Sequence, residues 1–336
     1  MKPLLSTLSL ALLVFIAAAQ TSPFYKFIKK ISLPGDGKWD YMKMDGETER
    51  LYVSHGDRVH VIDLKTDQPM AEWTGFANVH GISLGKTEKK VYIANTGVNN
   101  VVIYSSESMK KLTTVELPNG KKPDCILFDK FSQKAFVFCG DSHNVFVIDG
   151  KSDKILATID LGGKPEFACT NDKGLIYNNI EDTHEVVALD VNSYKVMKRF
   201  SLSPDKAPTG ITIDLKNERL MVACEETKNM VVLSTATGER VATAPIGDKT
   251  DGIIYDKDLG VLITSNGGGT ATIIKQENAN KYAVTQTVNT QRGLKTIVHR
   301  GTTHRFYLTG ADLQADGKTP VPGTFGVFVY GPEVVN

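Results

Sequence analysis

The chain has 336 residues with 39 basic and 38 acidic side chains, a formal net charge of +1. That balance disfavours a dedicated nucleic-acid binder, which carries a basic excess. Four cysteines with no C-x-x-C spacing signal neither a zinc site nor a disulfide scaffold.

The chain opens with Lys2, runs through an apolar stretch over 10–19 and reaches three alanines, Ala17, Ala18 and Ala19, before Gln20. This charged, apolar, small-residue order is that of a secretory signal peptide, so residues 1–19 are expected to be removed. The stretch is too short to cross a bilayer, which needs ~20 residues, and no later segment is long and uncharged enough to do so. Residues 20–336 are therefore expected as a monomeric periplasmic or secreted protein with no transmembrane segment. They are long enough for two ordinary domains, but all-β rings and barrels also reach this length as one, and no Pro/Gly/Ser-rich linker divides them.

A repeat organises the rest of the chain. The segments 51–55 (LYVSH), 91–95 (VYIAN), 135–139 (AFVFC), 175–179 (LIYNN), 220–224 (LMVAC), 261–265 (VLITS) and 306–310 (FYLTG) start 40, 44, 40, 45, 41 and 45 residues apart. A period of ~40 to 50 residues built from short strands means propeller blades. Each unit reads as four strands: an inner strand A such as 124–128, then the recurring segment as strand B. A third apolar run forms strand C, at 59–62, 101–104, 145–148, 186–189, 231–233, 271–274 and 327–330. These runs are short, β-branched and aromatic, and bounded by Gly, Asn and Asp. After strand C, Asp or Ser is followed three residues later by Thr or Ser, as in Asp149 to Ser152 and Asp190 to Ser193. Such side chains cap their own backbone and specify a tight hairpin into an outer strand D. The last unit lacks a strand D, whereas 25–33 (YKFIKKISL) looks like one that belongs to no unit. The expectation is an all-β, seven-bladed β-propeller of four-stranded antiparallel blades, its ring closed by the N-terminal strand pairing in the last blade.

The pattern resembles the YVTN-repeat β-propellers, the YncE-like family of bacterial secreted and surface proteins. The residues at 91–95 come nearest the name-giving motif, and 34–41 (PGDGKWDY), 161–167 (LGGKPEF) and 178–182 (NNIED) also look like this family. The motif marks packing positions and not chemistry, so the resemblance implies a fold and no single activity. Trp39 and Asp40 are not a WD-repeat signature, because they open an inner strand.

In a four-stranded blade the D-to-A and B-to-C connections share one face, around the channel mouth. Here those loops are varied while the opposite turns are stereotyped, which places binding on the varied side. The residues that open the inner strands are Asp40, His80, Asp124, Glu166, Thr209, Asp251 and Lys295. Two residues earlier stand Lys38, Lys122, Lys164 and Lys249, with Arg292 in the seventh loop, an expected basic rim around an acidic throat. The B-to-C loops add His55, Glu181 and other polar groups. The ligand-binding candidates are Asp40, His55, His80, Asp124, Glu166, Glu181, Asp251, Arg292 and Lys295. Clustered carboxylates and imidazoles can hold a cation, a divalent metal in the throat included, or shift one another's pKa for acid–base work. No cofactor is signalled, and the metal's identity is open.

The longest loop, from Gly310 through Asp312, Asp316, Pro320 and Pro322 to Thr324, either lies over the mouth as a lid or stands free. His299 and His304 fall in the A-to-B turn of the last unit, on the opposite face, and carry little functional weight. Cys125 and Cys139 flank one hairpin and could pair in an oxidising compartment; buried free thiols are the preferred reading.

The leading expectation is a binding protein that captures a small molecule, metal chelate or surface or periplasmic protein at the channel mouth. The alternative is a lactonase-like hydrolase, an activity the resemblance brings in, with Glu166, His80 and Asp251 as its acid–base groups. No nucleophile elbow or H-E-x-x-H spacing supports catalysis, so a non-enzymatic role is preferred.

Overall fold

A computed structural model describes residues 23–333; the expected signal segment, 1–19, lies outside them. Seven four-stranded antiparallel sheets form a closed ring. In blades 1 to 6 the strands follow chain order from the innermost, as in Trp39–Asp45, Arg50–His55, Arg58–Asp63 and Gln68–Thr74 of blade 1. Among the described residues no helix is long and apolar enough to cross a membrane.

Burial explains why strands B and C read as unbroken apolar runs. Both faces of each are covered by neighbouring blades, so Leu51, Tyr52 and Val53, and Val59, Val61 and Ile62, are wholly buried. Strand D stands at the rim and buries little. In Gln68–Thr74 only Trp73 reaches the core, where its ring stacks on Tyr104 of blade 2 at 4.1 Å. The core is thus a set of clusters between adjacent blades, each built from facing strands B and C.

Ring closure follows the expected plan. The N-terminal strand Tyr25–Ser32 pairs antiparallel with Gly326–Pro332, the third strand of blade 7, with Ile31 opposite Val327 and a bulge between Phe27 and Lys29. Buried Tyr25 and Ile31 anchor it from opposite ends. Inside the channel, Thr296 of blade 7 donates its hydroxyl to the Asp40 carbonyl of blade 1 at 2.7 Å, so the two ends of the chain also meet at the innermost strands.

The stereotyped turns obey their sequence chemistry. Asp149 Oδ1 accepts from the backbone N–H and the hydroxyl of Ser152, both at 2.7 Å, and Asp190 Oδ1 accepts from the Ser193 N–H at 2.6 Å. All four cysteines are free, so Cys125 and Cys139 do not pair.

Candidate functional site

Every inner strand is irregular near its start, and the irregularity builds the channel mouth. The pairing of strand A with strand B shifts register between Trp39 and Met42, Val79 and Ile82, Pro123 and Ile126, Pro165 and Ala168, Pro208 and Ile211, and Thr250 and Gly252. Inside those shifts stand Asp40, His80, Asp124, Glu166, Thr209 and Asp251; Lys295 borders the seventh, between Lys295 and Ile297. A bulge leaves a residue out of the ladder and re-aims its side chain. The ring of polar residues is therefore a product of seven local distortions, not of regular alternation.

The first three blades form one charged group. His80 Nδ1 lies 2.5 Å from Asp40 Oδ2 and 3.1 Å from Asp124 Oδ1, and its Nε2 is 2.9 Å from the Asn78 amide. Burial alone would lower the imidazole's pKa, but hydrogen bonds to Asp124 and Asp40 outweigh it and raise the pKa to about 9. His80 is thus an imidazolium at neutral pH, and its protonated ring holds Asp124 ionised despite deep burial. Of the two acid–base roles expected of His80, a protonated ring at neutral pH suits the acid and not the base, which must be free of its proton at working pH. The three donor atoms lie within 4.8 Å of one another, as a metal would require, but a metal would have to displace that proton.

In blade 4, Lys164 folds inward between Glu166, at 2.9 Å, and Glu181. The rim lysine is thereby spent on the throat, as is Lys122, 3.8 Å from Asp124. Burial, and next the charge of Asp124, push Glu166 up to about 8 against the pull of Lys164. Glu166 is therefore a neutral carboxylic acid near pH 7.

Blades 5 to 7 build a cavity of about 300 Å³ at the mouth, walled by Glu225, Lys249, Asp251, Arg292, Lys295 and Leu313 among others. Burial raises Asp251 to about 6, opposed by Lys295, while one of its oxygens accepts the Thr296 N–H at 2.8 Å. Among the described residues, no carboxylate stands within 4 Å of the Lys249, Arg292 or Lys295 side-chain nitrogens.

The long loop of blade 7 is folded against the same cavity. An isolated bridge joins Leu313 and Pro320, the Gly323 N–H donates to Asp36 at 2.8 Å, and Gln291 donates its amide to the Ala311 carbonyl at 2.8 Å. Leu313 and Gly317 line the cavity wall, so the loop stands at the mouth as a fixed side wall.

His55 does not join these groups, which corrects its place among the ligand-binding candidates. It is fully buried, stacks on Phe325 at 3.7 Å and faces His60 at 3.2 Å. Burial lowers its pKa to about 4, so it is a neutral packing side chain between blades 7 and 1.

On the opposite face the structure gathers residues that sequence reasoning set aside. Asp256, His299 and His304 converge beside a cavity of about 520 Å³.

No family model matches the chain, and no curated protein does. Among solved structures, a chain of the Kuenenia stuttgartiensis hydrazine synthase is similar, with a TM-score of 0.73 at 14% identity over 90% of this chain and 97% of that one. At that identity the likeness speaks for the propeller fold alone.

Proposed function

We propose that this protein is a secreted or periplasmic binding protein of the YVTN-repeat, YncE-like type that captures a small anionic molecule at the channel mouth. The observation that carries the reading is the 300 Å³ cavity at blades 5 to 7, where Lys249, Arg292 and Lys295 converge with no carboxylate within 4 Å of their nitrogens among the described residues, Lys295 feeling the charge of Asp251 from beyond that distance. A carboxylate or phosphate group entering there would gain charge-assisted hydrogen bonds, bidentate ones from Arg292. Glu225 and Asp251 on the same wall favour a ligand that also carries a donor, such as a hydroxy or amino acid. The rigid ring holds these groups in place before binding, which lowers the ordering cost of capture.

Thermal melting and titration calorimetry against phosphate and small mono- and dicarboxylates test this. A ligand at 100 times its dissociation constant adds ~2.7 kcal/mol of stability. The double variant Lys249→Ala, Arg292→Ala should keep the fold and lose that gain. Equal binding in the variant, or none to any anion in the wild type, would reject the cavity as the site.

A hydrolase reading retains one specific support: Glu166, a carboxylic acid still protonated near pH 7, beside ionised Asp124. Slow lactone turnover abolished in Glu166→Gln, with folding intact, would favour it; turnover that survives, or none at all, would leave binding as the function.

A further inference from the structure

Strand A of blades 1, 3, 5 and 6 ends in an aspartate, Asp45, Asp129, Asp214 and Asp256, and in each a carboxylate oxygen accepts backbone N–H groups of the following turn. For Asp256 that duty falls on Oδ1, with the N–H groups of Asp258 and Leu259 both at 3.2 Å. The other oxygen meets ordinary partners elsewhere: the Thr48 hydroxyl at Asp45, the Thr170 hydroxyl at Asp129, side-chain amides of Asn217 and Gln276 at Asp214. In blade 6 alone it meets two imidazoles from the next blade. His299 Nε2 and His304 Nδ1 both lie 2.8 Å from Asp256 Oδ2.

The fold accepts residues other than histidine at both positions. By strand register His299, opposite Phe306, stands where blades 1, 2, 3, 5 and 6 hold the apolar or aromatic side chains of Met44, Leu84, Phe128, Ile213 and Tyr255, and where blade 4 holds Thr170, whose hydroxyl likewise meets the strand-end aspartate of the preceding blade, Asp129. His304 occupies the left-handed position before strand B, with φ 55°, which other blades fill with Glu49, Lys89, Gln133 or Glu218. Two positions that packing and turn geometry fill with unrelated residues thus carry imidazoles aimed at one buried oxygen.

We propose that Asp256, His299 and His304 form a binding site for a divalent transition metal of the zinc class, with a remaining coordination position open to the adjoining cavity. Two imidazole nitrogens and a carboxylate oxygen are ligands zinc takes, and three protein ligands with one open position is the arrangement of exchangeable zinc sites. The three donor atoms already lie within 4.8 Å of one another. Metal–ligand lengths of about 2.0–2.1 Å at tetrahedral angles need donors about 3.3 Å apart, so each imidazole withdraws roughly half an ångström from Asp256 to admit the ion. His299 and His304 are partly exposed, with side chains 15% and 32% accessible, which leaves room for that movement and a path for the ion. The cavity of about 520 Å³ is bordered by Asp256 and His299 together with Asp214, Leu215 and Tyr255, space for a water or a small ligand on the open position. The site is on the face opposite the channel mouth and stands independently of the anion-binding reading.

The test is calorimetric titration of the chelator-treated full chain with Zn²⁺, and with Co²⁺ while following its visible absorption as a report of nitrogen and oxygen ligation. One ion should bind per chain at this site. His299→Ala and His304→Asn, the latter chosen because asparagine tolerates the left-handed backbone, should each weaken Zn²⁺ by at least about tenfold. Metal-free melting of each variant checks that it is folded. His80→Ala should leave this affinity unchanged, which separates the site from the throat cluster. Absence of Zn²⁺ binding to the wild type, equal binding in the folded His299 and His304 variants, or loss only in His80→Ala would overturn the proposal.

Discussion

Glu166→Gln isolates the electrostatics of the throat, because the amide keeps the shape of the side chain and removes only its charge. In the folded protein burial and the neighbouring Asp124 raise this carboxyl from 4.5 to about 8. A carboxyl raised on folding contributes stability at low pH that is lost as pH rises, since the unfolded chain releases its proton first. The cost of ionised Glu166 is therefore absent below about pH 4.5, grows across the interval and is complete above about pH 8. At about 1.4 kcal/mol per pH unit the ceiling is about 5 kcal/mol. Water at the channel mouth raises the effective dielectric, so a difference of about 2 kcal/mol is expected at pH 8.5. For a chain of this size that corresponds to roughly 4 °C in Tm. His80, raised from 6.5 to about 9, gives both proteins the same alkaline loss: its stabilisation is complete below 6.5 and disappears through 9. The readout is thus the difference between variant and wild type in urea or thermal unfolding from pH 4 to 9. Glu166→Gln should match the wild type at the acid end and exceed it at the alkaline end. A difference that stays flat with pH, or a variant less stable at pH 8.5, would refute the assignment of Glu166 as a neutral acid.

Three further outcomes follow from packing. A Cβ at Gly81, beside His80, would sit 2.2 Å from the Asp124 carbonyl oxygen, so Gly81→Ala should destabilise by about 2 kcal/mol or more, whereas Gly46→Ala, with nothing within 4 Å, should unfold at nearly the wild-type denaturant concentration. Tyr25 is 1% exposed, its ring 5.6 Å from Phe306, so Tyr25→Ala should loosen the closing strand at a cost of about 3 kcal/mol measured by chemical unfolding; an effect under 1 kcal/mol would show that closure does not depend on it. Cys125 and Cys139 are buried, and burial pushes both thiols up to about 12, so a thiol reagent should leave them untouched in the folded protein and label four cysteines after unfolding; a count of two would mean a disulfide.

The ring was readable because a propeller writes the same burial pattern seven times. Strands B and C are enclosed on both sides in every blade, so each copy of the repeat reports the same constraint, and the orphan strand 25–33 could be matched to the one vacant rim. The polar residues of the inner-strand bulges could be picked out too, by their place near the start of each inner strand, although in six blades the strand begins one residue earlier than the sequence suggests. What the period did not carry is the outcome of each bulge: which charge each side chain meets. The sequence pattern places Lys122, Lys164 and Lys249 alike, two residues before the ring, yet Lys164 turns onto Glu166 and Glu181 while Lys249 faces an open cavity. His55 shows the same limit from the other side, since its burial depends on Phe325, 270 residues away in the chain.

The opposite face teaches a different use of the same repeat. His299 and His304 lie five residues apart on one A-to-B connection, and nothing in their spacing points to Asp256 in the preceding unit. Superposing the seven units by register, however, puts His299 at a position held elsewhere by Met44, Leu84, Phe128, Thr170, Ile213 and Tyr255, where an imidazole occurs once. A half-buried position that gives up apolar area forgoes ~25 cal/mol for each Å² it no longer buries, and in a repeat protein the other copies show which residues packing accepts there. Departures from the repeat, more than the repeat itself, are therefore where a chemical requirement shows in a chain of this kind. By the same argument Lys295, the one lysine among ring positions otherwise held by Asp40, His80, Asp124, Glu166, Thr209 and Asp251, marks the blade that borders the cavity proposed for an anion.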